Sequence, residues 1–221
     1  MKLKLVKMPR FIQRLYPERI WAFSRKDNTV YLTFDDGPIP NVTPWVLEEL
    51  KKHNAKATFF CIGNNIQKHP EVYKRVIAEG HSVGNHTFNH LNGWKTELSV
   101  YIENTEKAKK QLEIDKSWKL DAERSSSKLL FRPPYGRITS EQAKMLQKKG
   151  YKIVMWDIVS YDFDTTISAE KCLENVIKNI KPGSVVVFHD SVKAEKNLSY
   201  VLPKVLEHIS EKGWKCASIH N

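Results

Sequence analysis

From residue 30 to residue 219, short β-branched and aromatic runs alternate with longer charged, amphipathic segments, and this rhythm narrows the choice of folds more than any other feature. The apolar runs predict strands at 30–34, 57–61, 81–84, 129–132, 151–156, 184–188 and 214–219. The segments between them predict helices from 44, and at 70–79, 97–113, 139–149, 168–180 and 200–212. Boundary signals accompany several of these. Thr43 stands as an N-cap before Pro44, Gly80 and Gly150 follow helix ends, and Thr139 with Gln142 makes a capping box. Residues 115–128, with Ser125, Ser126 and Ser127, predict a polar surface loop. Regular β-α alternation predicts a parallel sheet with helices outside it. Seven strands fit an α/β fold of the distorted, incomplete (β/α)7-type barrel better than an open doubly wound sheet. We expect one such domain at 29–221, with residues 1–28 as a basic extension packed on the barrel.

The bulk properties allow this. A chain of 221 residues, 41% hydrophobic, can bury a full core. Cys61, Cys172 and Cys216 are scattered and odd in number, which implies no disulfide framework. No apolar run approaches the ~18 residues of a membrane span. The first 23 residues are broken by Lys4, Lys7, Pro9, Arg10, Arg14 and Pro17, unlike a secretory signal. A cytoplasmic location is the expectation on that ground, or the cell envelope if a leader has been removed. The net charge of +11 favours anionic partners such as nucleic acid, phospholipid surfaces or anionic wall polymer. The lysines fall mostly on predicted helix faces, and no nucleic-acid-binding motif accompanies them, so specific nucleic-acid binding is not expected.

The chemistry gathers at strand ends. Thr33-Phe34-Asp35-Asp36-Gly37-Pro38 follows the first strand, and His86-Thr87-Phe88-Asn89-His90 comes fifty residues on. Within a strand Asp35 and Asp36 would point to opposite faces. Gly37 and Pro38 end the strand at once, where both carboxylates can turn toward one pocket. Two carboxylates and two imidazoles suffice for a divalent metal with a base beside it, which suggests metal-assisted hydrolysis. Arg132 closes the fourth strand, Asp157 follows the fifth, and His189-Asp190 follow the sixth. In a barrel these ends face one side, where active sites are built.

The motifs together resemble the polysaccharide deacetylases of carbohydrate esterase family 4, the nodulation-factor-deacetylase type. The resemblance rests on five segments in order: the two above, then Arg132-Pro133-Pro134-Tyr135-Gly136, then Ser160-Tyr161-Asp162-Phe163 after Trp156-Asp157, then Val186-Val187-Phe188-His189-Asp190. It implies a metal held by Asp36, His86 and His90, most simply zinc, with cobalt or nickel able to substitute. His86 and His90, four apart, would reach one ion if their segment made a helical turn. Asp35 would be the general base, kept ionised and oriented by Arg132. The Tyr135 N–H, fixed by Pro133 and Pro134, would contribute an oxyanion hole, and Pro134, Tyr135 and Phe163 would touch substrate. His189 would be the general acid, paired with Asp162. Asp190 would help to structure its loop, and Asp157 has no assigned role. Val159 and Phe163 depart from the family's usual aspartate and tryptophan.

The implied activity is hydrolysis of the acetamide of N-acetylglucosamine units in chitin-like oligosaccharides or peptidoglycan, by a monomer acting on an N-acetylated glycan. Alternatives are an O-acetyl xylan esterase, a cyclic-amide hydrolase, or a non-catalytic glycan-binding protein.

Overall fold

The structure is a computed structural model, and it describes residues 5–114 and 129–220. The expected loop at 115–128 lies outside them. Among these described residues, eight parallel strands form one curled sheet. They are β1 (Thr29–Asp35), β2 (Thr58–Cys61), β3 (Ser82–Asn85), β4 (Leu129–Phe131), β5 (Tyr151–Ile153), β6 (Ile158–Val159), β7 (Val185–His189) and β8 (Lys215–Cys216). Their order is β5-β4-β3-β2-β1-β7-β6, with β8 beside β1. Around them lie α1 (Arg10–Leu15), α2 (Val42–Lys52), α3 (Gly63–Lys68), α4 (Pro70–Ala78), α5 (Leu98–Leu112), α6 (Ser140–Lys148), α7 (Ala169–Ile177) and α8 (Glu195–Glu211). This is the incomplete barrel that the alternation predicts.

The period of two along β1 decides what faces what. Val30, Leu32 and Phe34 are fully buried and pack outward with Val46 and Leu50 of α2 and Val201 and Val205 of α8. Tyr31 turns inward to Phe60, Leu130, Val154 and Val185, which fill the narrow interior. Thr33 and Asp35 continue that inward row.

β5 and β6 do not pair with each other. The N-terminal segment stands between them. The Met8 N–H donates to the Asp157 carbonyl at 2.8 Å, and the Val159 N–H donates to the Val6 carbonyl at 2.9 Å. On the other side the Met155 N–H donates to the Ile20 carbonyl at 2.7 Å. Backbone that an open barrel would leave unpaired is satisfied here by residues far away in sequence.

Three expectations need correction. Thr43 lies inside α2 and caps nothing. Asn41, at φ 69°, is the N-cap, and Thr43 Oγ1 instead accepts from the Ile39 N–H at 2.8 Å and donates to Asp190. The run 151–156 is not one strand. It breaks after Ile153 to let the chain pass to β6, so β6 had no counterpart in the expected list. The last helix begins at Glu195 rather than 200 and carries Pro203 in its interior. Its buried row of Leu198, Val201, Leu202, Val205, Leu206 and Ile209 outweighs the one hydrogen bond that proline removes.

Candidate active site

The ends of β1, β3, β4 and β7, and the loop after β6, converge at one mouth of the barrel. Asp35 and His189 are register partners on adjacent parallel strands, so their side chains share a face. Asp36 comes next, at φ 80°. That left-handed turn lets consecutive carboxylates enter one site. Three contacts hold it: Asn65 Nδ2 donates to the Asp36 carbonyl at 2.7 Å, the Gly37 N–H donates to Asp190 Oδ1 at 3.0 Å, and the Asp190 N–H donates to the Asp35 carbonyl at 3.1 Å. Gly37 is required there, because a Cβ would sit 1.9 Å from Asp190 Oδ2. Burial pushes the Asp190 carboxyl up to about 8. Asp190 braces the turn and does not enter the site.

His86 and His90 are brought together without the helical turn expected for them. Thr87 (φ 61°) and His90 (φ 56°) are both left-handed, a conformation that costs a β-branched residue about 1–3 kcal/mol. Asparagines offset it. Asn85 Oδ1 accepts from the Thr87 N–H at 2.8 Å, and Asn104 Oδ1 accepts from the Phe88 and Asn89 N–H groups at 2.9 and 3.0 Å. Sequence reading missed these residues, because nothing local marks an asparagine as the brace of a distant loop.

The resulting cluster suits a cation. One ligand atom each from Asp36, His86 and His90 lies within 4.8 Å of the others. His86 Nδ1 donates to the Arg132 carbonyl at 2.7 Å, which leaves Nε2 with its lone pair toward Asp36 Oδ1, 3.7 Å away. His90 Nδ1 meets the Tyr135 hydroxyl at 3.0 Å, and its Nε2 stands 3.2 Å from the same Asp36 oxygen. That oxygen is buried and makes no hydrogen bond among the described residues. Burial lowers the pKa of His86 to about 4, against the opposing charge of Asp35, so the ring is neutral as a ligand must be. Burial opposes the charge of Asp36 too, but His90, His189 and His86 outweigh it and hold its pKa well below the usual range. Two imidazole nitrogens facing one unsatisfied buried carboxylate oxygen fit a divalent transition metal.

Two acid-base groups flank the cluster. Arg132 is fully buried, and its Nη1 donates to Asp35 Oδ1 and to Thr33 Oγ1, both at 2.7 Å. Its other donors meet the Met155 carbonyl at 2.9 Å and the Val154 carbonyl at 3.2 Å, while Phe60 stacks 4.1 Å from the guanidinium. Each of its three nitrogens is engaged, so Asp35 is held in one orientation beside a fixed charge. Across the mouth, His189 Nδ1 donates to Asp162 Oδ1 at 2.8 Å, and the His189 N–H donates to Asp162 Oδ2 at 2.8 Å. Burial alone would lower the pKa of His189. The charge and hydrogen bond of Asp162, with smaller help from Asp36 and Asp35, reverse that and push it to about 9. His189 is thus an imidazolium at neutral pH.

Tyr135 sits in a tight turn (Pro134–Gly136) at φ 59°. Its side chain is 61% exposed against His90, and its N–H makes no hydrogen bond among the described residues. Phe163 lies edge-on to His189, 4.6 Å between ring centres. Asp157, expected at this mouth, is not there. It accepts from Ser184 Oγ at 2.8 Å at the start of β7 and faces Lys7, at the opposite end of the barrel. Its strand register, with β6 beginning at Ile158 beside Val186, carries it there.

Residues 23–154 match the sequence profile of the polysaccharide deacetylases. The chain belongs to the polysaccharide deacetylase family. It is 33% identical to a peptidoglycan-N-acetylglucosamine deacetylase of Bacillus cereus over 90% of each chain. It is 30% identical to a chitooligosaccharide deacetylase of Azorhizobium caulinodans over 76% of each. A crystal structure of a peptidoglycan N-acetylglucosamine deacetylase bound to an N-hydroxybenzamide superposes with TM-score 0.82 at 31% identity, covering 96% of this chain and 95% of that one. The fold does not guarantee activity: a structure with TM-score 0.77 at 25% identity, covering 91% of this chain and 69% of that one, is of a mutant of a pseudoenzyme of carbohydrate esterase family 4 with restored activity. Asp35, Asp36, His86, His90, Arg132 and His189 are all present here and, apart from the chemistry of an ion, arranged as one site.

Proposed function

We propose that this family member is a metal-dependent deacetylase of glycans containing N-acetylglucosamine, peptidoglycan or chitin-like oligosaccharide, releasing acetate and a free amine. One observation carries the reading. A three-donor cluster is flanked on one side by a carboxylate clamped to a buried arginine and on the other by an imidazolium clamped to a buried carboxylate. Water addition to an amide needs a base at the start and an acid at the end, and these two groups are held apart in those states.

Asp36, His86 and His90 would hold the ion, zinc by the character of the donors, and cobalt or nickel would fit the same set. When bound, it supplies Lewis acidity to the acetyl carbonyl and to an attacking water. Asp35 takes the proton of that water as it adds to the carbonyl carbon. Arg132 holds Asp35 in one orientation for the task. The tetrahedral centre develops charge on the former carbonyl oxygen, and the Tyr135 N–H stabilises it. His189 then gives a proton to the departing nitrogen, which leaves as an amine. Phe163 walls the acetyl and sugar contacts, whereas Pro134, expected there from the sequence, is buried beneath the turn and holds the Tyr135 backbone in place. The presence of peptidoglycan and chitooligosaccharide deacetylases among the relatives supports an N-acetyl substrate over an O-acetyl one.

The test is acetate release from chitooligosaccharides, peptidoglycan and acetylxylan, before chelation, after chelation, and after adding back zinc, cobalt or nickel. Release from the first two substrates, abolished by chelator and restored by metal, is the expected result. Undiminished release from protein verified to be metal-free would refute the mechanism, and release from acetylxylan alone would move the substrate to O-acetyl esters.

A further inference from the structure

The end of the barrel away from the catalytic mouth carries a basic and apolar surface for which the proposed deacetylation has no use. A cleft there is lined by Lys7, Arg10, Gln13, Arg25, Lys181 and Ser184, among others, with Asp157 as its one carboxylate. Lys181 and Ser184 precede β7, and His189 stands at the far end of that strand. Five residues of strand separate the two ends by about 13 Å. Asp157 is already engaged, with Ser184 Oγ and Lys7. Burial and the neighbouring charges of Lys7 and Arg25 lower the pKa of Lys181, so like charges converge here with little compensation.

Helix α1 forms the wall of this cleft. Arg10 and Gln13 turn into it, while Met8 and Ile12 pack on the protein. Arg14 follows Arg10 at the cleft's rim, four residues on, and Phe11 and Leu15, four apart, lie on the arc beside them. Phe11 is 65% and Leu15 68% exposed, among the most exposed large apolar side chains of the described residues. Tyr16 is exposed directly after them. A cationic stripe edged by a bare aromatic and a bare aliphatic side chain is the pattern of an interfacial segment: the rings and methyls enter the acyl boundary while the guanidinium groups stay at the phosphates. No helix among the described residues is long and apolar enough to cross a membrane.

We infer that this surface docks the protein on an anionic phospholipid bilayer, with Phe11 and Leu15 inserting at the headgroup boundary and Arg10, Arg14, Arg25 and Lys181 meeting lipid phosphates. Charge complementarity and the exposed pair on α1 favour a bilayer over a soluble polyanion, which would have no use for Phe11 and Leu15. The docked protein holds its catalytic mouth away from the lipid. The inference does not depend on the deacetylase reading, since lipid binding is measured without turnover.

Co-sedimentation with vesicles tests it. One set is phosphatidylcholine with roughly a third phosphatidylglycerol, the other pure phosphatidylcholine. Binding to the first and not the second, weakening with salt, is expected. Each cation near an anionic surface changes partitioning about fivefold, so replacing Arg10, Arg14, Arg25 and Lys181 by Gln should weaken it more than a hundredfold. Replacing Lys51, Lys110, Lys144 and Lys204 by Gln, all exposed elsewhere, removes the same charge and should weaken it less than tenfold. Phe11→Ser with Leu15→Ser should weaken binding at least tenfold. Thermal unfolding of each variant verifies that it folds. Absence of binding, or equal losses from the two charge sets, would overturn the inference. So would indifference to Phe11→Ser with Leu15→Ser, which would leave only adsorption of a basic protein or capture of a soluble polyanion such as poly(glycerol phosphate).

Discussion

Asp162→Asn isolates the charge that makes His189 an acid. The substitution keeps size and shape and removes one negative charge that is wholly buried. A rise in the pKa of His189 from 6.5 to about 9 corresponds to roughly 3 kcal/mol in favour of the imidazolium, an order-of-magnitude figure. Burial opposes it, and only the smaller help of Asp36 and Asp35 remains without the anion, so the pKa should fall well below 9. The sign for catalysis follows from the role: an acid works while protonated, so its limb of the profile is lost as pH rises through its pKa. The wild-type enzyme should lose kcat/KM on N-acetyl substrate as pH rises through about 9. In the variant that limb should appear two or more pH units lower, an estimate from the same electrostatics. The amide also mismatches its donors. Asp162 Oδ1 accepts from His189 Nδ1 and the Phe163 N–H, and Oδ2 accepts from the His189 N–H. An asparagine has one oxygen for these two positions, so rate should fall at every pH. Stability supplies a second readout. A raised folded-state pKa stabilises the fold fully below the unfolded value and loses that contribution as pH rises through about 9, so the difference in melting temperature between the two proteins should shrink above pH 9. An alkaline limb that stays in place while the rate drops would refute the assignment of His189 as leaving-group acid.

Asp35→Asn should retain full metal stoichiometry and lose about 10² to 10⁴ in kcat, the usual worth of a general base; loss of metal instead would exchange the roles of Asp35 and Asp36. Arg132→Met should leave Asp35 buried and unpaired, costing about 3–5 kcal/mol, and lower the melting temperature by about 10 °C in a thermal scan. Asn104→Ala removes the acceptor for the Phe88 and Asn89 N–H groups. It should loosen His90 and weaken metal affinity about 10–100-fold in a competitive chelator titration, with little change in melting temperature of the metal-free protein. Gly37→Ala should force Asp190 off the Gly37 N–H and Thr43, seen as a several-degree drop in melting temperature and loss of acetate release.

Which parts of this molecule could be read from its sequence depended on how far apart the cooperating residues lie. Strands such as 30–34 and 184–188 were legible because one short run carries both the β-propensity and the burial that decide it. The mouth of the barrel was legible because Asp35, His86, Arg132 and His189 each follow such a run, and parallel strands put their ends together. The break between β5 and β6 was not. Residues 151–156 are apolar but for Lys152, and what stops the strand is Ile20 and Met8 arriving from more than 130 positions away to take the hydrogen bonds. Asp157 was misplaced for the same reason, since the register beside β7 turns it to the far end. The start of α8 was set five residues late, although Leu198, Val201, Leu202 and Val205 already had helical spacing.

The metal cluster illustrates the boundary between identity and geometry. Its ligands were legible as residues, but the four-residue spacing of His86 and His90 pointed to a helical turn, whereas the chain uses two left-handed residues. Helical spacing would have set the two rings one turn apart on a rigid cylinder. A kinked loop braced by Asn85 and Asn104 instead lets each ring take its own outer partner, the Arg132 carbonyl for His86 and the Tyr135 hydroxyl for His90. Those partners belong to the same Arg132-to-Gly136 segment that orients Asp35 and carries the Tyr135 N–H. One segment therefore positions the base, both imidazole ligands and the oxyanion donor. A shift of that segment should disturb metal affinity and general-base catalysis together, whereas His189 and Asp162, on β7 and the loop after β6, should respond independently. Double-mutant cycles give the contrast: Arg132→Met with Tyr135→Phe should couple by 0.5 kcal/mol or more in metal affinity, and Asp162→Asn with Tyr135→Phe should add within about 0.5 kcal/mol.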